Sequence, residues 1–193
     1  MPEPKKEPPL RSDAQRNRER ILRVATAELT VRADVPLSTI ARKAGVGQGT
    51  FYRHFPHREA LVLEVYRYEM RQVADAAREL LESRPPERAL REWMDRLARF
   101  AMTKAGLADA IRLVTGAPGG PAKPGPTPVM EAAGTLLGAC EAAGAVRPGV
   151  TPDDFFLAIA GLWQLDPREE WEPRAGRLLD LVMDGLRAGA PGR

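Results

Sequence analysis

The stretch Leu37-Ser38-Thr39-Ile40-Ala41-Arg42-Lys43-Ala44-Gly45-Val46-Gly47-Gln48-Gly49-Thr50-Phe51-Tyr52-Arg53-His54-Phe55 decides how this chain is read. Ile40 and Ala41 lie inward on a short helical segment from Leu37 to Ala44, and a second short segment runs to Phe55. Two short helices joined by so tight a turn must cross steeply. Ala41 lets the second approach closely, Gly45 can take the positive φ of the turn, and Val46 joins Ile40 in plugging the core beneath. This is helix-turn-helix logic, with the second segment as the one that enters a DNA major groove.

The polar residues of that segment suit the task. Gln48 can offer a donor and an acceptor together to an adenine edge. Thr50, Tyr52 and His54 are phosphate-reaching groups, and Arg42, Lys43, Arg53 and Arg58 supply positive charge. Gly49 would let the backbone come close to the groove; Ser38 and Gly47 complete the candidate set. Phe51 and Phe55 are read as core aromatics. Charge points the same way. Residues 1–60 hold 12 Lys/Arg against 7 Asp/Glu, whereas the other 133 hold 17 against 19. A basic third on a near-neutral remainder suits a protein that meets a polyanion at one end.

The whole chain reads as all-α, with about nine helices and no convincing period of two. Residues 1–11, rich in Pro, Lys and Glu, are expected to form a disordered arm. A helix from Ser12 to about Thr30 carries Ile21, Leu22, Ala25 and Leu29 at helical spacing. After Pro56, helices are expected from about His57 to Ser83, Glu87 to Lys104 and Leu107 to Thr115, with Gly106 separating the last two. Gly116 to Pro128, dense in Gly and Pro, should be a mobile loop. Helices resume from Val129 to Ala143, from Pro152 to Trp163 behind the N-terminal signature Thr151-Pro152-Asp153-Asp154, and from Pro173 to Ala188.

Composition narrows the function classes. Hydrophobic residues make up 44% and charged residues 28%, as in an ordinary soluble protein, and no apolar run approaches a membrane span. The first residues lack the apolar core of a secretory signal, so a cytoplasmic location is expected. With one cysteine, Cys140, and two histidines, His54 and His57, a thiolate zinc site, an intrachain disulfide or a hydrolase triad has almost nothing to be built from. No cofactor, metal or catalytic residue is expected, and an enzyme is the remotest reading.

The run Ile40-Ala41-x-x-Ala44-Gly45-Val46-x-x-Gly49-Thr50-Phe51-Tyr52-x-x-Phe55, followed by Arg58-Glu59-Ala60-Leu61, resembles the DNA-binding domain of the TetR family of bacterial transcription repressors. The match covers about Gln15 to Tyr66. Two positions depart from the family pattern: Gly47 stands where a Ser-like cap is frequent, and Pro36 where a Ser or Thr often starts the preceding helix. The resemblance implies a DNA-binding domain over residues 12–56 and a helical effector-binding and dimerisation domain over 57–193. It further implies a homodimer on a palindromic operator of double-stranded DNA, released by a small-molecule effector.

By that resemblance Trp93, Met94, Leu97, Phe100, Cys140, Phe156 and Trp163 would line a ligand cavity, although their spacing alone reads as plain core. The last two helices look like the family's dimer-forming pair, with Phe155, Ile159, Leu162, Leu178, Leu179, Val182 and Leu186 as candidate interface residues. The helices from Glu87 to Thr115 are candidate levers between the domains. A regulator that dimerises but senses no ligand stays open as the alternative.

Overall fold

The computed structural model describes residues 9–103, 105–116 and 127–192. Among them are nine α-helices and no strand: α1 (Pro9–Val31), α2 (Leu37–Lys43), α3 (Gln48–His54), α4 (Arg58–Ser83), α5 (Pro86–Thr103), α6 (Ala105–Thr115), α7 (Thr127–Ala142), α8 (Pro152–Ala158) and α9 (Trp171–Arg187). A 3₁₀ segment, Ala160–Gln164, lies between α8 and α9. None of these helices is long and apolar enough to cross a membrane.

Several boundaries differ from those read in the sequence. Helix α1 begins at Pro9, so residues 9–11 of the expected arm are helical, and residues 1–8 lie outside the described residues. Likewise α7 starts at Thr127 and takes in Pro128, since a first-turn residue has no intrahelical partner for an N–H in any case. The rest of the expected loop, 117–126, lies outside the described residues, as does Lys104. Gly106 does not separate two helices but sits inside α6. The helix expected over 152–163 stops at Ala158; Ile159, at φ −88 and ψ 1, leaves the α region and the chain tightens into the 3₁₀ segment.

The chain divides into two units. One holds the described residues up to Tyr68 together with α6 from Gly106; the other holds Glu69–Ala105 and the described residues from Thr127 onward. The first unit buries Ile21, Leu22, Ala25 and Leu29 of α1 with Ile40 and Ala41 of α2, Phe51 of α3 and Leu61, Val62 and Val65 of α4. Leu107, Ala110, Ile111 and Val114 of α6 complete that core, a stripe at the i, i+3, i+4, i+7 spacing of one helix face. Of the two helices read as candidate levers, α5 falls in the second unit and α6 in the first.

In the second unit α5 is central, packed against α7 and α9. Its Leu90, Trp93, Met94 and Leu97 are buried, and the Trp93 Nε1–H donates to the carbonyl of Val73 at 2.8 Å. The Trp93 ring stacks on Phe155 of α8 with centroids 6.2 Å apart. Thr151 caps α8 through a capping box: its hydroxyl accepts from the Asp154 amide while Asp154 accepts from the Thr151 amide. Arg91 ties α5 to α9, its Nε and Nη2 donating to Asp180 at 3.1 and 2.9 Å.

Candidate nucleic-acid interface

The turn between α2 and α3 is closed by backbone alone. Gly45 lies at φ +63, the Gly45 amide donates to the Arg42 carbonyl at 3.1 Å, and the Val46 amide to the Ala41 carbonyl at 3.2 Å. This pair of bonds around a left-handed residue is the Schellman ending, which satisfies the last carbonyls of α2. A side chain at 45 would be strained, so glycine is favoured there. Gly47 is different: it starts α3 in extended geometry, with open space where a Cβ would stand and no side-chain cap on the helix.

From that turn α3 drives its apolar side into the first unit. Phe51 is fully buried, Phe55 nearly so, and their rings lie 5.9 Å apart. Burial of each ring contributes about 1.5–3 kcal/mol. The Arg18 guanidinium sits 5.8 Å over the Phe55 ring and pairs with Glu64 at 3.0 Å, while Lys43 Nζ reaches Glu28 of α1 at 2.7 Å. These contacts hold α2 and α3 against the neighbouring helices and leave the opposite side of α3 free.

That free side carries the residues singled out in the sequence. Ser38, Arg42 and Lys43 of α2, Gly47 before α3, and Gln48, Gly49, Tyr52 and Arg53 of α3 are exposed, with Thr50 and His54 half-buried. The Tyr52 ring is 41% exposed and meets Phe51 edge-on at 5.5 Å, so the core fixes a ring whose outer part faces solvent. Arg53 folds back along its own helix, Nε donating to the Gly49 carbonyl at 3.1 Å and Nη2 to the Thr50 hydroxyl at 3.3 Å. Arg58 does not join this face. Its Nη1 donates to the carbonyl of Val35 at 2.7 Å and its Nη2 to the carbonyl of Ala33. His57, not singled out as a structural residue, places Nδ1 at the start of α4, 3.2 Å from the Ala60 amide and 3.0 Å from a Glu59 carboxylate oxygen.

The family models agree with this geometry. Residues 22–65 match the model of bacterial regulatory proteins of the TetR family, and residues 85–188 match that of the SbtR-like transcriptional regulator C-terminal domain. The chain belongs to the TetR family of transcriptional regulators. A TetR regulator from Streptomyces coelicolor is 40% identical, with 88% of this chain and 98% of that one covered at a TM-score of 0.75. A TetR regulator from Mycobacterium vanbaalenii is 37% identical, covering 92% and 99%, with a TM-score of 0.72. One from Mesorhizobium loti shares the fold at 18% identity and a TM-score of 0.69, over 91% and 96% of the two chains. No curated protein matches the sequence. TetR membership makes the chain a DNA-binding transcription factor and not an enzyme.

In the TetR C-terminal unit the candidate ligand residues are scattered between core and surface. Trp93, Met94 and Cys140 are fully buried and Leu97 nearly so, whereas Phe100 and Phe156 are half-buried and Trp163 is 48% exposed. Burial pushes the Cys140 thiol up to about 12, helped by the charge of Glu87, so no thiolate is present at neutral pH. Of the candidate interface residues, Phe155, Ile159, Leu162, Leu179 and Leu186 fill this chain's own core. Leu178 and Val182 are half-buried and line an open groove of about 200 Å³ between α9 and the α8 region. A second groove of about 570 Å³ shares Leu181 and Val182 with it. Around them Leu157 and Leu181 stand 76% and 69% exposed. Leu157 was not singled out in the sequence, because helical spacing does not say which side of α8 a neighbouring helix covers.

Proposed function

We propose that the chain is a homodimeric repressor in the cytoplasm that reads a palindromic DNA operator with α3 and leaves it when a small molecule binds the C-terminal unit. The observation that carries the DNA half is the two-sided character of α3. Phe51 is buried while Gln48, Gly49, Tyr52 and Arg53 are presented outward from the same two turns. In this reading Gln48 contacts a base edge. Ser38, Arg42, Lys43, Thr50, Tyr52, Arg53 and His54 contact phosphates, and Gly47 and Gly49 keep the backbone close to the groove.

Dimerisation is supported by the apolar side of the α8–α9 region. Leu157, Trp163 and Leu181 are more large apolar surface than a short stretch of a monomer ordinarily leaves in water. A two-fold partner covering it would use the same patch on both copies and would set two α3 helices to two half-sites. Effector release is a population shift: a ligand lowers DNA affinity only to the extent that it prefers the non-binding conformation. The second reading, a dimeric regulator without a ligand, is favoured by the packing around Trp93. Its indole N–H is already satisfied by Val73, and its ring is closed in by Phe155 and Phe156.

Selection of genomic fragments by the purified protein tests the reading, with the double variant Gln48→Ala, Tyr52→Ala beside it. The wild type should enrich a short palindrome that the double variant does not. Enrichment by neither at moderate salt would remove the specific-reader function.

A further inference from the structure

We infer that Arg58 is a positioning residue for the DNA-reading helices, acting through the α1–α2 turn and not through a phosphate. The inference rests on the DNA-binding role proposed above and reassigns one of the cations that charge alone offered to the phosphates.

The turn from α1 to α2 lacks a lock of its own. Pro36, the residue that starts α2, provides no side-chain cap and has no N–H to donate. The one backbone bond inside the turn, from the Val35 amide to the Arg32 carbonyl, is long at 3.4 Å. Asp34 turns outward to pair with Arg32 at 2.9 Å, both side chains being largely exposed. The carbonyls of Ala33 and Val35 receive no backbone N–H among the described residues. They receive Arg58 instead, which arrives from the first turn of α4 and places one terminal nitrogen on each carbonyl. A guanidinium can do this because its donors diverge from a rigid plane; an ammonium holds one point charge on a flexible stem.

The consequence for recognition is mechanical. Val35 is buried two residues before α2 begins, and α2 in turn buries Ile40 and Ala41 and packs on α3. The Arg58 fork therefore fixes where α2 starts and, through α2, where Gln48 stands. Arg42 is the contrast: it is exposed and pairs with no carboxylate among the described residues, as a cation waiting for phosphate should. The missing cap at Pro36 and the inward turn of Arg58 are two sides of one arrangement.

Three variants separate the roles: Arg58→Lys, which keeps the charge and loses the fork, Arg58→Ala, and Arg42→Ala as the phosphate-contact control. Amide exchange in the free protein is expected to speed up about tenfold or more at Val35, Thr39 and Ile40 in both Arg58 variants, consistent with loss of two charge-assisted bonds. Binding to a random-sequence duplex should keep the wild-type dependence of log K on log salt in Arg58→Ala, while Arg42→Ala loses about 0.9 of slope for each contact removed. Wild-type exchange in Arg58→Lys, or a slope in Arg58→Ala lowered as in Arg42→Ala, would overturn the inference. If Arg58→Ala fails to fold, exchange in Arg58→Lys decides the matter alone. If no variant, wild type included, binds the duplex, the DNA reading fails while the exchange result still judges the positioning role.

Discussion

The two units of this chain present opposite relations between what is buried and what is offered. In the N-terminal unit, α3 buries its aromatics and exposes its polar side, so the residues that matter to a partner are the ones the core rejects. In the C-terminal unit most of the residues that draw attention in the sequence are inside: Trp93, Met94, Cys140, Phe155 and Leu179 are each at most 1% exposed. Among its charged surface residues that unit also leaves three large apolar side chains outward, Leu157, Trp163 and Leu181. On the proposed reading, the first unit meets charge and hydrogen-bonding edges and the second a second copy through apolar surface. The hydrophobic effect would decide the proposed self-association and contribute little to DNA binding.

The contrast breaks most readily in the cores. Phe51→Ala and Trp93→Ala should each cost about 3–5 kcal/mol, as truncation of a buried aromatic does, read by denaturant unfolding. The expected difference lies in amide exchange: Phe51→Ala should expose α2 and α3 while α5 and α7 stay protected, and Trp93→Ala should do the reverse. Equal loss of protection in both units would show that they unfold as one. Next comes the apolar face. Leu181→Asp is expected to leave the fold unchanged but to weaken self-association about 100-fold, because a charge is buried without a partner. Light scattering at micromolar concentration should then find monomer where the wild type is expected to be a dimer; a dimeric variant would place the interface elsewhere.

A smaller effect is expected in the turn. Gly45→Ala should destabilise by about 1–2 kcal/mol, the cost of a left-handed L-residue, whereas Gly47→Ala should be close to neutral for folding. Thermal melts compare the two, and equal shifts would contradict the turn geometry. The smallest concerns Asp154, whose carboxyl is held below its usual value of 3.8 by the Thr151 hydroxyl first and the Thr151 amide second. A depressed folded-state pKa gives stability that is complete above about 3.8 and fades as pH falls through the lowered value. Thr151→Ala should flatten that part of the acid melting profile; an unaltered profile would remove the capping box from the account.

The legibility of the sequence followed the same divide. Turn chemistry is local, so Gly45 with Ala41, Val46, Phe51 and Phe55 specified both the helix-turn-helix and the exposed positions between them. The capping signature Thr151-Pro152-Asp153-Asp154 was readable for the same reason, and α8 starts where it says. What periodicity cannot carry is the identity of the partner face. The segment Leu107 to Thr115 reads as a helix, but nothing in it reveals that Leu107, Ala110, Ile111 and Val114 share a core with α1 to α4, 40 residues and more upstream. Arg58 read as a cation because charge is visible in a sequence, whereas the two carbonyls it serves are brought to it only by folding.

On the proposed reading the exposed side of α3 reads sequence while its basic neighbours on α2 only hold the phosphates. The most direct test compares Gln48→Ala with Arg42→Ala for the ratio of affinities between a fragment the wild type selects and a random duplex of equal length. Gln48→Ala should lower this ratio about 10- to 100-fold with the salt slope unchanged, as loss of a bidentate base contact does. Arg42→Ala should lower both affinities together and leave the ratio near its wild-type value. A Gln48→Ala protein that keeps the wild-type ratio would contradict the assignment of α3 as the reader.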